Sequence, residues 1–98
     1  MSVPVIVRPE AENDIRAIRN FLDLARTGFG DNFARKLKEV FERIELMPTI
    51  YGFVWQDVRA VRVRKFRYVV YYLLFLDRVE ILAVMHGSQH DSAWKSRV

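Results

Sequence analysis

The stretch Arg59-Ala-Val-Arg-Val-Arg-Lys-Phe-Arg67, running directly into Tyr68-Val-Val-Tyr-Tyr-Leu-Leu-Phe-Leu76, decides the fold. Five of the first nine residues are basic and none is acidic, while the nine that follow carry no charge. Val61 and Val63 alternate with Arg62 and Arg64, the period-two pattern of a half-buried strand with a cationic outer face. The uncharged run is long enough for a strand buried on both faces. Side by side, two such strands form a sheet whose cationic side is suited to a macromolecular partner.

Outward from this pair, Asp77-Arg78 reads as a turn and Val79 to His86 as a further strand. Simple alternation puts Val79, Ile81, Ala83 and Met85 on one face and Glu80, Leu82, Val84 and His86 on the other. At the other end of the chain, Val3 to Arg8 is a short β-type segment. Pro4, which cannot donate a ladder hydrogen bond, marks it as an edge strand. Pro9 opens a helix where its missing N–H costs nothing, with Glu10, Glu12 and Asp14 favourable at the positive helix end. Ala11, Ile15, Ile18, Leu22 and Ala25 define its apolar face, and Gly28 and Gly30 are expected to stop it.

Asp31 then reads as the N-cap of a second helix whose stripe is Phe33, Leu37, Val40, Phe41, Ile44 and Met47, with Pro48 ending it. Two amphipathic helices joined by a short Gly-containing link form an antiparallel hairpin, and its apolar side must lie on the sheet. Pro48 to Val58 reads as a loop, and the segment after His86 as a loop with a short terminal helix. The expected order is β-α-α-β-β-β: an α+β domain over residues 1–98, a helical hairpin on a small curled antiparallel sheet.

Composition narrows the classes. The 98 residues carry 51% hydrophobic and 29% charged side chains, the balance of a folded globular chain. No cysteine is present, which excludes disulfides and thiolate metal sites. Arg8, Pro9 and Glu10 interrupt any signal-peptide-like apolar stretch, and the uncharged run ending at Leu76 is roughly half a membrane span. The expectation is a cytoplasmic protein with no membrane association. The net charge of +4 is unevenly placed: through Met47 eight basic side chains balance eight acidic ones, whereas from Pro48 onward eight basic face four acidic. A field polarised in this way favours acidic partners, either nucleic acid or an acidic protein segment.

Several short elements, in this order and spacing, resemble the RelE/ParE superfamily of type II toxin–antitoxin toxins over nearly the whole chain. They are Pro9-Glu-Ala-Glu-Asn-Asp-Ile15, Pro48-x-x-Tyr51-Gly52, Val58-Arg59, Lys65-Phe66-x-Tyr68-x-x-x-Tyr72, Ile81-Leu-Ala-Val84-x-His86, and Trp94-x-x-Arg97. The resemblance implies a toxin held silent by a cognate, ParD-like antitoxin with an acidic or amphipathic segment, the two forming a hetero-oligomer. It implies one of two actions: inhibition of DNA gyrase without nuclease chemistry (the ParE branch), or cleavage of mRNA on the ribosome. The chain departs from the usual pattern at Phe66-Arg67-Tyr68, where Phe-Pro-Tyr is common. It departs again at Gln89-His90-Asp91, where an arginine followed by Asn/Asp-Pro is common. A guanidinium at the second place would stabilise charge on a reacting phosphate, so its absence favours the ParE-like reading.

RNA cleavage by the 2′-hydroxyl needs a proton acceptor, cations for the phosphorane-like oxygens and an acid for the leaving group. Arg62, Lys65 and Arg67 with His86 and His90 are the residues for that alternative. Under the gyrase reading the target surface comprises Arg59, Arg62, Arg64, Lys65, Arg67, Gln89, His90, Trp94 and Arg97. The antitoxin is expected against Phe29, Leu37, Phe41, Tyr51, Phe53 and Trp55 in a groove beside the hairpin. Against these stand blander roles: arginines on a strand keep a sheet face wet, Tyr68, Tyr71 and Tyr72 pack a core, and Trp94 folds the tail onto the sheet. No metal-ligand spacing is present, because Glu80 and His86 lie too far apart to share an ion, and no cofactor is implied. A third reading is a toxin-derived binding module that has lost both activities.

Overall fold

A computed structural model describes residues 2–98. Strand β1 (Val5–Val7) leads into helices α1 (Pro9–Ala25) and α2 (Phe29–Leu46). Four strands follow, β2 (Phe53–Trp55), β3 (Val58–Arg62), β4 (Tyr68–Leu74) and β5 (Val79–His86), and then a single helical turn, α3 (Ser92–Lys95). The sheet is open, with order β1-β5-β4-β3-β2. The α+β class and the helical hairpin are as expected. Three features of the sheet differ from expectation, the third being the faces of β5.

First, β1 pairs with β5 in parallel, with Val5 opposite Val79, so the sheet is mixed rather than wholly antiparallel. The long crossover through two helices is what permits a parallel neighbour, which a tight turn never could. Secondly, three residues of the expected Pro48–Val58 loop form the edge strand β2 against β3. Phe53 and Val54 of this strand are exposed, so no alternation marked it in the sequence.

The helix boundaries follow from local chemistry. Pro9 occupies the first turn of α1 with Glu10 and Glu12 beside it. Gly28 adopts φ +92, a left-handed conformation suited to glycine, and forms the N-cap of α2. Asp31 is therefore not the cap but sits in the first helical turn, where its charge still complements the dipole. Nor does Gly30 stop α1; it lies inside α2 at its closest approach to α1. A Cβ there would meet the Arg19 carbonyl oxygen at 2.7 Å, and the Gly30 N–H donates to Asp23 Oδ1 at 2.8 Å. Asp23 thus satisfies one of the free amides at the start of α2 from the preceding helix.

The hairpin buries Ala11, Ile18, Phe33, Leu37, Val40 and Ile44 against Val61, Val63, Val70, Tyr72, Ile81 and Val84. On the sheet's opposite face a second cluster joins Val58, Tyr71, Leu82 and Met85 to Trp94. Trp94 stacks on Tyr71 at 4.4 Å and 16°, and meets Trp55 edge-on at 6.1 Å. The C-terminal turn is therefore the cover of the sheet's outer face.

The alternation expected for β5 fails midway. Tyr71 faces Ala83 and Tyr72 faces Ile81, so Leu82 is the extra residue of a β-bulge. Beyond it the faces exchange: Val84 joins the hairpin side with Val79 and Ile81, while Leu82, Ala83 and Met85 pack with Trp94. The bulge frees backbone groups, and charged side chains satisfy them. Asp14 Oδ2 accepts from the Val84 N–H at 3.0 Å, and Arg97 Nη1 donates to the Leu82 carbonyl at 3.1 Å. Arg97 also pairs with both Asp14 oxygens, at 2.6 and 3.1 Å. Arg8 closes the network by donating to the Arg97 carbonyl and to Glu80, each at 2.8 Å. No helix among the described residues is long and apolar enough to cross a membrane.

Candidate functional site

The turn joining β3 to β4 is the point from which the candidate site is built. Val63 donates to the Tyr68 carbonyl at 2.9 Å, and Phe66 N–H closes the turn on the Val63 carbonyl at 3.1 Å. Val61 and Val63 stay in the core, which sends Arg62 and Arg64 outward. Lys65 is the third residue of the turn at φ +70, a conformation that glycine adopts without cost and lysine does not. The turn breaks the strand alternation, so Arg64, Lys65 and Arg67 all reach solvent around a half-buried Phe66. Phe66 is held edge-on against Phe33 at 5.4 Å.

Two open concavities flank this turn. The larger, about 690 Å³, is lined by Arg43, Tyr51, Arg62, Arg64, Lys65 and Arg67, with Phe66 among them. The smaller, about 440 Å³, shares Arg62 and Arg67 and extends to His86 and Ser88. Among the described residues none of these five basic side chains takes part in an ion pair. Arg8, Arg19, Lys36, Arg78, Lys95 and Arg97 all do. Arg43 donates to the Tyr51 hydroxyl at 3.1 Å, and this bond is the main reason its pKa is raised.

His86 Nδ1 accepts from the Ser88 N–H at 3.1 Å and lies 2.7 Å from Ser88 Oγ, while its ring meets Tyr68 edge-on at 5.4 Å. With Nδ1 accepting, the neutral ring carries its proton on Nε2. His90 repeats the arrangement with Ser92 but lines neither concavity. The structure therefore brings Arg62, Arg67 and His86 together, with Lys65 in the adjoining groove, and leaves His90 apart.

Other residues singled out in the sequence have structural engagements. Arg59 donates to the Tyr51 carbonyl at 2.7 Å and lies over the Phe53 ring at 4.0 Å, pinning the segment before β2. Trp94 is buried and Arg97 is tied to Asp14. Gln89 lines a third groove, about 540 Å³, between α1 and β5, with Ile18, Phe21, Val84, His86 and Arg97. Of the residues expected to meet an antitoxin, Leu37 is buried in the core and Phe41 packs against it, so both stand inside the hairpin–sheet interface. Phe29 and Trp55 are half-buried, Tyr51 forms a wall of the cationic groove, and Phe53 is 59% exposed.

Sequence reasoning missed Arg43 and Asp14. Arg43 lies on the polar side of α2, and only the fold carries it to the β3–β4 turn. Asp14 reads as an ordinary first-turn acid, although its partners Val84 and Arg97 lie at the far end of the chain. Met47, expected in the apolar stripe of α2, is instead exposed, as are Leu46, Ile50 and Val54, which the sequence reading did not single out.

A helical hairpin on an open, mixed five-stranded sheet, with a cationic turn that makes no ion pair among the described residues, defines a small α+β domain. The ParE toxin family of type II toxin–antitoxin systems, parDE, matches residues 5–91, and the chain belongs to that family. Among solved structures, a chain of the chromosomal ParDE toxin–antitoxin system from P. aeruginosa is similar, with a TM-score of 0.65. The likeness covers 87% of this chain and 96% of that one at 10% identity, so what the two share is the fold. No curated protein sequence matches the chain.

Proposed function

We propose that this ParE-family toxin inhibits DNA gyrase and is silenced by a cognate ParD-like antitoxin with which it forms a hetero-oligomer. The observation that carries the target surface is the uncompensated cationic turn: Arg62, Arg64, Lys65 and Arg67 project from β3–β4 with no carboxylate partner among the described residues. Gln89, in the separate groove between α1 and β5, and His90, which lines neither concavity of the turn, were expected on that surface but are not carried into it. Arg59, Trp94 and Arg97 support it by holding the edge strand and the tail in place. An antitoxin segment is matched to the exposed apolar residues around Phe53, with Tyr51, Trp55 and Phe29 at its margins. The direct test is supercoiling of relaxed plasmid by gyrase with purified toxin present. Loss of supercoiling at micromolar toxin, reversed by the antitoxin, is expected; undisturbed supercoiling removes the reading.

One observation favours a second reading, ribosome-dependent cleavage of mRNA. Arg62, Arg67 and His86 line one concavity, which would give a phosphate two cations and a proton-transfer group. Cut transcripts on expression, abolished by His86→Ala, would establish it. Harmless expression with neither effect would point instead to a binding module without toxicity.

A further inference from the structure

Helix α1 carries apolar side chains on two faces. One places Ala11 and Ile18 in the core, with Ile15 and Leu22 packed against it. The other is Ala17, Phe21 and Leu24, at the i, i+4, i+7 spacing of a single helix face, with Phe21 63% and Leu24 89% exposed. Apolar residues exposed singly need no explanation, but a second stripe on a helix already anchored by its first does. Beside the stripe lies the groove of about 540 Å³ between α1 and β5, walled by Ala17, Ile18, Phe21, Val84 and Met85. A projecting leucine and a concavity thus share one face, as an isologous two-fold interface requires.

Charge distinguishes the occupants. Helix α1 holds four acidic residues, Glu10, Glu12, Asp14 and Asp23, and two basic ones, Arg16 and Arg19, in a chain of net charge +4. An acidic antitoxin segment is disfavoured on such a helix, whereas two copies of a basic protein repel each other least there. Arg16 and Asp23 also set opposite signs along one flank of the stripe, seven residues apart.

We propose that this face of α1 binds the same face of a second copy of the chain, giving a two-fold toxin dimer. Helices crossing antiparallel about Asn20 set Leu24 of one copy against Ala17 and the groove of the other, large against small. Phe21 then lies beside its counterpart, and Arg16 faces the second copy's Asp23, twice by symmetry. Asp23 gives Oδ1 to the Gly30 N–H at 2.8 Å, which leaves Oδ2 for the guanidinium. One helix seam with its groove buries on the order of 500 Å² per copy, the low end for a specific interface, so a dissociation constant of about 10–100 µM is expected. None of the cations of the β3–β4 turn lines this groove, and the inference stands apart from the gyrase reading.

Sedimentation equilibrium of the full chain from about 1 to about 300 µM tests it. The weight-average mass should rise from 11.6 kDa toward twice that value. Leu24→Asp, outside the core, should stay folded by circular dichroism and weaken the dimer about thirtyfold or more. Arg16→Glu should weaken it about fivefold. Leu76→Asp, on the exposed β4–β5 turn, should leave it unchanged. The chain has no cysteine, so Asn20→Cys supplies one thiol per copy and should join two copies by a disulfide under mild oxidation, while the exposed Lys38→Cys should not. A monomer at every concentration, a dimer kept by folded Leu24→Asp or lost in Leu76→Asp, or equal cross-linking at both thiol positions would each overturn the proposal. If the toxin is monomeric and Leu24→Asp weakens only antitoxin binding, the stripe belongs to the antitoxin and the proposal likewise falls.

Discussion

Replacing Asp14 by alanine should loosen the whole C-terminal segment, although residue 14 lies in the first helix. Its carboxylate accepts the Val84 amide at 3.0 Å and takes two bonds from Arg97, at 2.6 and 3.1 Å. Their side chains are only 16% and 21% exposed, so water replaces these bonds poorly. Stranding the bulge amide costs about 1–3 kcal/mol, and each charge-assisted bond is worth about 1.5–3. Part of the loss is recovered where Arg97 can reach solvent, which leaves about 3 kcal/mol for Asp14→Ala. For a domain of this size that is a fall in Tm of about 12–24 °C. Asp14→Asn, which keeps an acceptor for Val84, should lose about half as much. The assay is urea unfolding of wild type, both single alanine variants and the Asp14→Ala/Arg97→Ala double variant. Because the two groups act through each other, the double variant should cost little more than Asp14→Ala alone. A loss below about 0.5 kcal/mol for Asp14→Ala, or strict additivity in the cycle, would refute the reasoning.

Gly30→Ala, normally a gain of about 1 kcal/mol inside a helix, should instead cost about 1–2 kcal/mol. The new Cβ meets the Arg19 carbonyl at 2.7 Å, and chemical denaturation gives the sign directly. Tyr72, fully buried with its hydroxyl donating to the Pro48 carbonyl at 2.8 Å, has its pKa pushed up to about 12 by burial. The unfolded chain ionises it near 10, so stability is full below that pH and falls as the pH rises toward 12, by up to about 3 kcal/mol. Unfolding free energies measured across that alkaline range should decline steeply in wild type and less so in Tyr72→Phe.

Where sequence and structure agree, the reason is local. Pro9 and the acidic first turn locate the start of α1, and the Val61/Val63 alternation assigns the faces of β3. Val79 to His86 are the bounds of β5 because a turn precedes them and Gly87 follows. What escaped was tertiary. Leu82, Ala83 and Val84 are all apolar, so nothing in their order signals the bulge that exchanges the faces of β5. Strand β2 exists because β3 offers it an edge, and two of its three residues, Phe53 and Val54, stay exposed. Gly30 reads as a helix breaker, but its function is to let two helices touch. The cationic patch was legible from Arg62, Arg64, Lys65 and Arg67 alone, but Arg64 and Lys65 were expected on a strand and stand instead in the turn that follows β3. Its groove was not, since Arg43 arrives from α2 and His86 from β5. Asp14, the anchor of the tail, carries no local mark of that role.

The central claim is that the cations of the β3–β4 turn, which make no ion pair among the described residues, are the surface through which this toxin acts on its target. Gyrase supercoiling assays with wild type and a folded Arg62→Glu/Arg67→Glu variant test it most directly. The account predicts inhibition by wild type that the charge reversal abolishes. Equal inhibition by both proteins, or none by either, would contradict it.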